Sequence, residues 1–208
     1  MELHRQKSYQ QAFDLACASL RGKDLRERAE KAGAYYRKDG EGEQIDILFF
    51  LESYTIHFPE IEFSSPSKKT ISLVTRALFL HYLLRADGSP LTGKWAAYKD
   101  LAGGLLYASV FARRVTEPLI KRFGRSANSF QAAGKRLGGE SAGVGDASSN
   151  LLAFPRIPLQ YVLWEGDEEF PPSTQLLFDS SVDHYLPLED IVVLGQITTG
   201  RLISLSNR

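Results

Sequence analysis

Cysteine is almost missing from this chain, with Cys17 the only one. A single thiol cannot close an intrachain disulfide, fill a cysteine-based zinc site or ligate an iron–sulfur cluster. Histidine is scarce, at four residues, and methionine occurs once. Net charge is missing as well, because 25 Lys and Arg face 25 Asp and Glu. Long apolar runs are absent: the longest, Ile47 to Leu51, falls far short of the ~20 residues that a membrane-crossing helix requires. The first ten residues contain neither an apolar h-region nor a small-residue cleavage site, so no secretory signal is read there. A lone free thiol without an export signal makes the cytoplasm the expected compartment, and no membrane is expected as a partner.

What remains is an ordinary globular composition, with 43% apolar and 24% charged residues over a length of 208. That length suits one domain, expected here to span 1–208. The neutrality is a cancellation between segments. Residues 105–157 hold eight basic and three acidic groups, net +5, whereas residues 158–208 hold two and eight, net −6. The basic stretch includes Arg113, Arg114, Lys121, Arg122, Arg125, Lys135 and Arg136. With so many carboxylates downstream, a solvated helix face or an intramolecular partner explains it better than nucleic acid.

Periodicity predicts a helix over 9–30, with Phe13, Ala16 and Leu20 on one face. Turn residues at 39–42 then separate strand-like runs at 44–51 and 53–58, an antiparallel meander. Ser64-Ser-Pro-Ser67 reads as a helix start, with the helix running to Arg85. Further helices are expected from Leu105 towards Phe123, kinked or divided at Pro118, over 127–137, and from Pro187 onward. A strand is expected at 159–164. The fold class is therefore α+β: one antiparallel sheet, built from the meander and the 159–164 strand, flanked by helices in a single compact domain.

Gly88-Ser-Pro-Leu-Thr-Gly-Lys94-Trp95 comes close to a phosphate-binding loop. It fails where Trp95 replaces the hydroxyl residue that would hold magnesium, and it lacks the strand-before, helix-after setting. Lys94 and Trp95 nonetheless remain candidates to face a ligand by charge and stacking. Gly103-Gly104, directly before a helix, suits close approach of an anion, although glycine pairs also serve as plain turn chemistry. In Trp164-Glu-Gly-Asp-Glu-Glu-Phe-Pro-Pro172, four carboxylates fall within five residues. Asp167, Glu168, Asp179, Asp183 and His184 form an oxygen-rich set suited to a hard divalent metal, against the plainer reading of solvated turns and caps. His184 alone among the histidines has acids beside it in sequence. No nucleophile elbow or serine–histidine–aspartate order appears.

Several of these stretches occur together in one family. The chain resembles the bacterial and archaeal family catalogued as domain of unknown function 3786. The motifs that carry the resemblance are Leu91-Thr-Gly-Lys-Trp95, Leu101-Ala-Gly-Gly104, Pro155-Arg-Ile-Pro158, the acidic run from Trp164 to Pro172, Leu177-Phe-Asp-Ser-Ser181 and Tyr185-Leu-Pro-Leu-Glu-Asp190. The family is frequent in anaerobes, and some relatives carry an iron–sulfur segment whose cysteines this chain lacks. The resemblance implies a ligand-binding or accessory protein of anaerobic cofactor metabolism and supplies no catalytic residues. Its ligand is expected near Lys94, Trp95, Gly103, Gly104 and Trp164. A corrinoid or other tetrapyrrole, with His57, His81 or His184 as axial ligand, is one form of that expectation. The alternatives are a metal-dependent enzyme using the 165–184 segment and a structural or protein-interaction module.

Overall fold

The computed structural model describes residues 2–40, 42–67 and 70–206, with the side chains of 2–5 outside that description. Alternation produces the first sheet. β1 (Tyr35–Asp39), β2 (Gly42–Phe49), β3 (Glu52–Phe58) and β4 (Glu62–Ser64) form an antiparallel meander in sequence order. Ile45, Ile47 and Phe49 alternate along β2, and Tyr54, Ile56 and Phe58 along β3, and all six are buried. Ile45 faces Ile56 and Ile47 faces Tyr54, so one apolar face is paired across strands.

The β2–β3 turn consists of Phe50 and Leu51, and Phe50 sits at φ 56°. Glycine usually holds such a position, because a side chain is strained there. Two contacts hold Phe50 in place. Its N–H donates to the Ala153 carbonyl at 2.9 Å, and its ring packs on Phe49 with centroids 4.7 Å apart.

The second sheet contains β5 (Trp95–Ala97), β6 (Ala147–Phe154), β7 (Ile157–Trp164) and β8 (Ser173–Asp179) in the order β5-β8-β7-β6, all antiparallel. The fold class is α+β with antiparallel sheets. The expected union of the meander and the 159–164 strand in one sheet is corrected to two separate four-stranded sheets. The reason is edge occupancy: β6 and β8 take both edges of β7, while β1 and β3 take both edges of β2.

The helices are α1 (Glu2–Leu20), α2 (Leu25–Ala32), α3 (Leu73–Arg85), α4 (Gly104–Phe111), α5 (Glu117–Phe123), α6 (Ala127–Arg136) and α7 (Leu188–Ser206). The single helix expected over 9–30 is broken in two. Gly22 turns left-handed at φ 75°, and the Asp24 carboxylate caps α2 by accepting the Glu27 N–H at 3.1 Å. The helix expected to open at Ser64 opens at Ser72 instead, whose hydroxyl accepts the Thr75 N–H at 3.2 Å. Ser64 itself ends β4. Pro118 follows a π-helical turn at Ala112–Thr116 and lies in the first turn of α5, so the long helix is divided there as expected. Among the described residues, no helix is long and apolar enough to cross a membrane.

An aromatic cluster locks the layers together. Phe79 of α3 packs edge-on against Phe49 of the first sheet at 5.1 Å, and Tyr82 stacks on Phe154 of the second at 4.3 Å. Phe49 and Phe154 also touch, at 4.7 Å.

Among the described residues two buried side-chain polar atoms have no hydrogen-bond partner, Arg76 Nε and the Ser149 hydroxyl. Ser149 is fully buried, and its hydroxyl lacks a hydrogen bond among the described residues. A buried hydroxyl without compensation costs ~1–3 kcal/mol. Ser149→Ala is therefore expected to leave stability unchanged or raise it by about 1 kcal/mol in urea unfolding. A loss above about 1 kcal/mol would show that the hydroxyl is bonded.

Candidate functional site

The basic stretch reaches the C-terminal segment through backbone carbonyls. The Arg136 guanidinium donates from Nη1 to the Leu205 carbonyl at 2.7 Å, and Arg122 donates from Nη2 to the Ser206 carbonyl at 3.3 Å. These are the last-turn carbonyls of α7, the negative end of its dipole. The acidic loop serves another helix: Glu165 Oε1 accepts the Ala127 N–H at 2.7 Å, at the start of α6. This arrangement brings two arginines to the end of α7, and one of them, Arg136, lines a cavity together with the strained β2–β3 turn.

A cavity of about 470 Å3 opens there. Phe50, Leu51 and Tyr54 supply one wall, the Ser72 cap and Thr75 of α3 another, and Arg136, Arg201 and Ser204 the third. Arg201 is the cation of this cavity that two aromatic rings hold. Its guanidinium lies 4.7 Å from the Phe49 ring centroid and 4.9 Å from that of Phe50. Such cation–π contact restrains the planar group without consuming its N–H donors. Among the described residues, its one hydrogen bond runs from Nη2 to the Tyr54 hydroxyl at 3.4 Å. Tyr54 in turn donates to Glu52 Oε2 at 2.6 Å. Burial and the Glu52 carboxylate raise the Tyr54 pKa, so it stays a neutral phenol that passes the orientation on. The result is a planar cation with spare donors in a half-apolar cavity, the geometry that grips a carboxylate or phosphate in bidentate fashion. The hydroxyls of Ser72 and Thr75, 2.8 Å apart, also line the cavity; one donates to the other, which leaves one hydroxyl proton for a ligand.

None of the ligand or metal candidates singled out from sequence lines this cavity; of the basic stretch, Arg136 does. Trp95 opens β5 opposite Asp179, and Trp164 closes β7 opposite Ser173. The two tryptophans therefore sit at opposite ends of β8, roughly 20 Å apart at ~3.3 Å per residue. Lys94 is exposed, and its carbonyl accepts the Ser180 N–H at 2.8 Å. Gly103 adopts φ 80°, and a Cβ on Gly104 would lie 1.9 Å from the Tyr98 carbonyl oxygen. Both glycines are thus accounted for by backbone geometry.

The acidic set divides in the same way. Asp167 and Glu168 lie before β8, and Asp179, Asp183 and His184 lie at or beyond its end. Among the described residues, no three His, Cys, Asp or Glu side chains come together to hold a metal ion. Asp167 accepts the N–H groups of Phe170 and Glu169 at 2.7 and 2.8 Å, which lower its pKa. His184 Nδ1 lies 2.7 Å from Asp87 Oδ2, and this bond raises the imidazole pKa. Ser89 Oγ approaches the same nitrogen at 3.2 Å. Acid and hydroxyl on one ring nitrogen cannot form the relay of a nucleophilic triad, which needs them on opposite nitrogens.

Asp179 is only 4% exposed and is surrounded by donors. It accepts from the Thr92 N–H and hydroxyl, the Gly93 N–H, and the Ser181 N–H and hydroxyl, all between 2.7 and 3.0 Å. Burial by itself raises its pKa, but the Ser181 and Thr92 donors outweigh burial and bring it to about 2. This carboxylate ties the 87–94 loop to the end of the second sheet.

Sequence reading missed Arg201 because it counted as one of two cations in an acidic segment. Its signal lay in α7 itself, where a cation three places beyond Thr198 meets the aromatic pair at 49–50 only in three dimensions.

No curated protein and no solved structure matches the chain. The family model described as Domain of unknown function (DUF3786) matches residues 24–201, and the chain belongs to that family.

Proposed function

We propose that this member of the family is a binding protein for a small oxyanion-bearing ligand, phosphate or carboxylate, seated over Arg201. The observation that carries the reading is the Arg201 guanidinium, stacked on Phe49 and Phe50 yet using one weak hydrogen bond, in a cavity of about 470 Å3. Arg136 adds a second cation, and the Ser72–Thr75 hydroxyl pair adds one neutral donor. Leu51, Ile71 and Leu137 give the apolar part of such a ligand a wall to lie against. The strained Phe50 backbone supports the same placement, because strain of this kind gathers at ligand clamps.

An accessory role in anaerobic tetrapyrrole metabolism stays within this reading, since the carboxylates of such a ligand would meet the same arginines. His57, His81 and His184 all lie outside the cavity, so an axial nitrogen is not part of the proposal. A metal-dependent enzyme is less well supported, because its ligand set is spread over both ends of β8.

Titration with inorganic pyrophosphate, followed by amide chemical shifts, tests the placement. Saturable shifts are expected to cluster at Ser72, Thr75, Leu137 and Arg201. Shifts spread instead over Arg113, Lys121 and Lys135 would mean diffuse surface charge and would remove the proposed site.

A further inference from the structure

A second cleft, of about 310 Å3, lies between α1, α3, the π-turn and the first turn of α7. Its walls are largely apolar, with Val74 of α3 and Val193 of α7 among them, and an adjoining hollow shares both and reaches Ile197. Four acidic or basic groups stand on this apolar ground, His81, Arg114, Glu189 and Asp190, with the Tyr9 phenol beside them.

Two of them are committed to each other. His81 Nδ1 lies 2.5 Å from Asp190 Oδ2, both side chains are mostly buried, and the Ala12 carbonyl also holds the ring. The bond to Asp190 raises the His81 pKa, which favours the charge-paired form. The other two are uncommitted. Arg114 is half-buried and Glu189 exposed, and neither makes an ion pair or hydrogen bond among the described residues.

Arg114 reaches the cleft because of the π-turn at Ala112–Thr116. A π-turn inserts one residue into a helix and so rotates the succeeding residues by about 100°. Here the rotation buries Val115 and leaves Arg114 on the cleft side. The Thr199 hydroxyl stabilises the altered backbone by donating to the Val115 carbonyl at 3.3 Å. Such turns are frequent at functional sites.

An unpaired cation and an unpaired anion on one small apolar cleft complement a zwitterion. We propose that this cleft binds a free α-amino acid with an aliphatic side chain. Its carboxylate pairs with Arg114, its ammonium meets Glu189 and the outer oxygen of Asp190, and its side chain lies between Val74 and Val193. This site is separate from the Arg201 cavity, and either assignment can fail without the other.

Calorimetric titration of the full chain with L-leucine, isovalerate and 3-methylbutylamine tests the proposal. L-Leucine is expected to bind saturably, with each half-molecule at least about tenfold weaker, a difference of ~1.4 kcal/mol. Arg114→Gln is expected to weaken L-leucine at least about tenfold while its melting temperature stays within roughly 2 °C of wild type. If Arg114→Gln does not fold, Glu189→Gln gives the same reading from the ammonium side. No saturable L-leucine binding, isovalerate equal to L-leucine, or unchanged affinity in a folded variant would overturn it.

Discussion

Asp179→Ala is expected to destabilise the protein by about 3–5 kcal/mol, the range for removing a buried charge that organises several donors. For a chain of this size that corresponds to a fall in melting temperature of roughly 10 °C. The cause is the donors left behind: the Thr92, Gly93 and Ser181 N–H groups, with the Thr92 and Ser181 hydroxyls, all converge on one carboxylate. Without it the 87–94 loop loses its anchor, and β5, which pairs with β8 only from Trp95 to Ala97, is left at a short edge. Asp179→Asn keeps one acceptor oxygen and is expected to lose less. The pH dependence has a defined sign. The folded carboxyl titrates at about 2, below its usual 3.8, so its contribution is complete above about pH 5 and is lost as pH falls through 3.8 and then through 2. Urea unfolding at pH 7 and at pH 3 should therefore separate wild type from Asp179→Asn by less at the lower pH. An unchanged gap would show that the carboxylate is not the organising group.

The second large effect concerns Arg201. Arg201→Met keeps an unbranched side chain over Phe49 and Phe50 but removes the charge and the forked donors. Affinity for a bound oxyanion is expected to fall at least about 100-fold, ~2.7 kcal/mol. Arg201→Lys keeps the charge and loses the planar fork, so an intermediate loss of about tenfold is expected. This ordering distinguishes recognition from simple cover. A guanidinium that only shields the Phe49 and Phe50 rings would make methionine the milder change for stability and would leave anion affinity alike in all three proteins.

Local periodicity made much of the fold legible. The alternation in β2 and β3, the β7 strand and the start of α7 with Glu189 and Asp190 in its first turn all follow from local pattern. The failures have local causes too. Gly22 and Asp24 divide the first helix by a left-handed turn and a cap, yet Lys23 and Leu25 leave the helical period almost unbroken. The serines at 64–67 offered a cap as good as that of Ser72, and strand pairing with β3 decided between them. β6 was missed because Ser148 and Ser149 occupy buried positions where an apolar alternation was expected.

The sites were far less legible. The acidic segment drew notice by composition, but three of its carboxylates work as caps and anchors: Glu165 on α6, Asp167 on its own loop and, further on, Asp179 on the 87–94 loop. Arg201 and Arg136 are 65 positions apart and meet only through the docking of α6 on α7. Arg114 faces its cleft through a one-residue rotation that no hydrophobic period announces.

Calorimetric titration of inorganic pyrophosphate and citrate at fixed ionic strength, into wild type and Arg201→Met, tests the oxyanion assignment most directly. At least one of the two anions is expected to bind wild type saturably and to lose about 100-fold in the variant while the variant remains folded. Heats no larger than those of sodium chloride at equal ionic strength, or equal affinities in the two proteins, would contradict it.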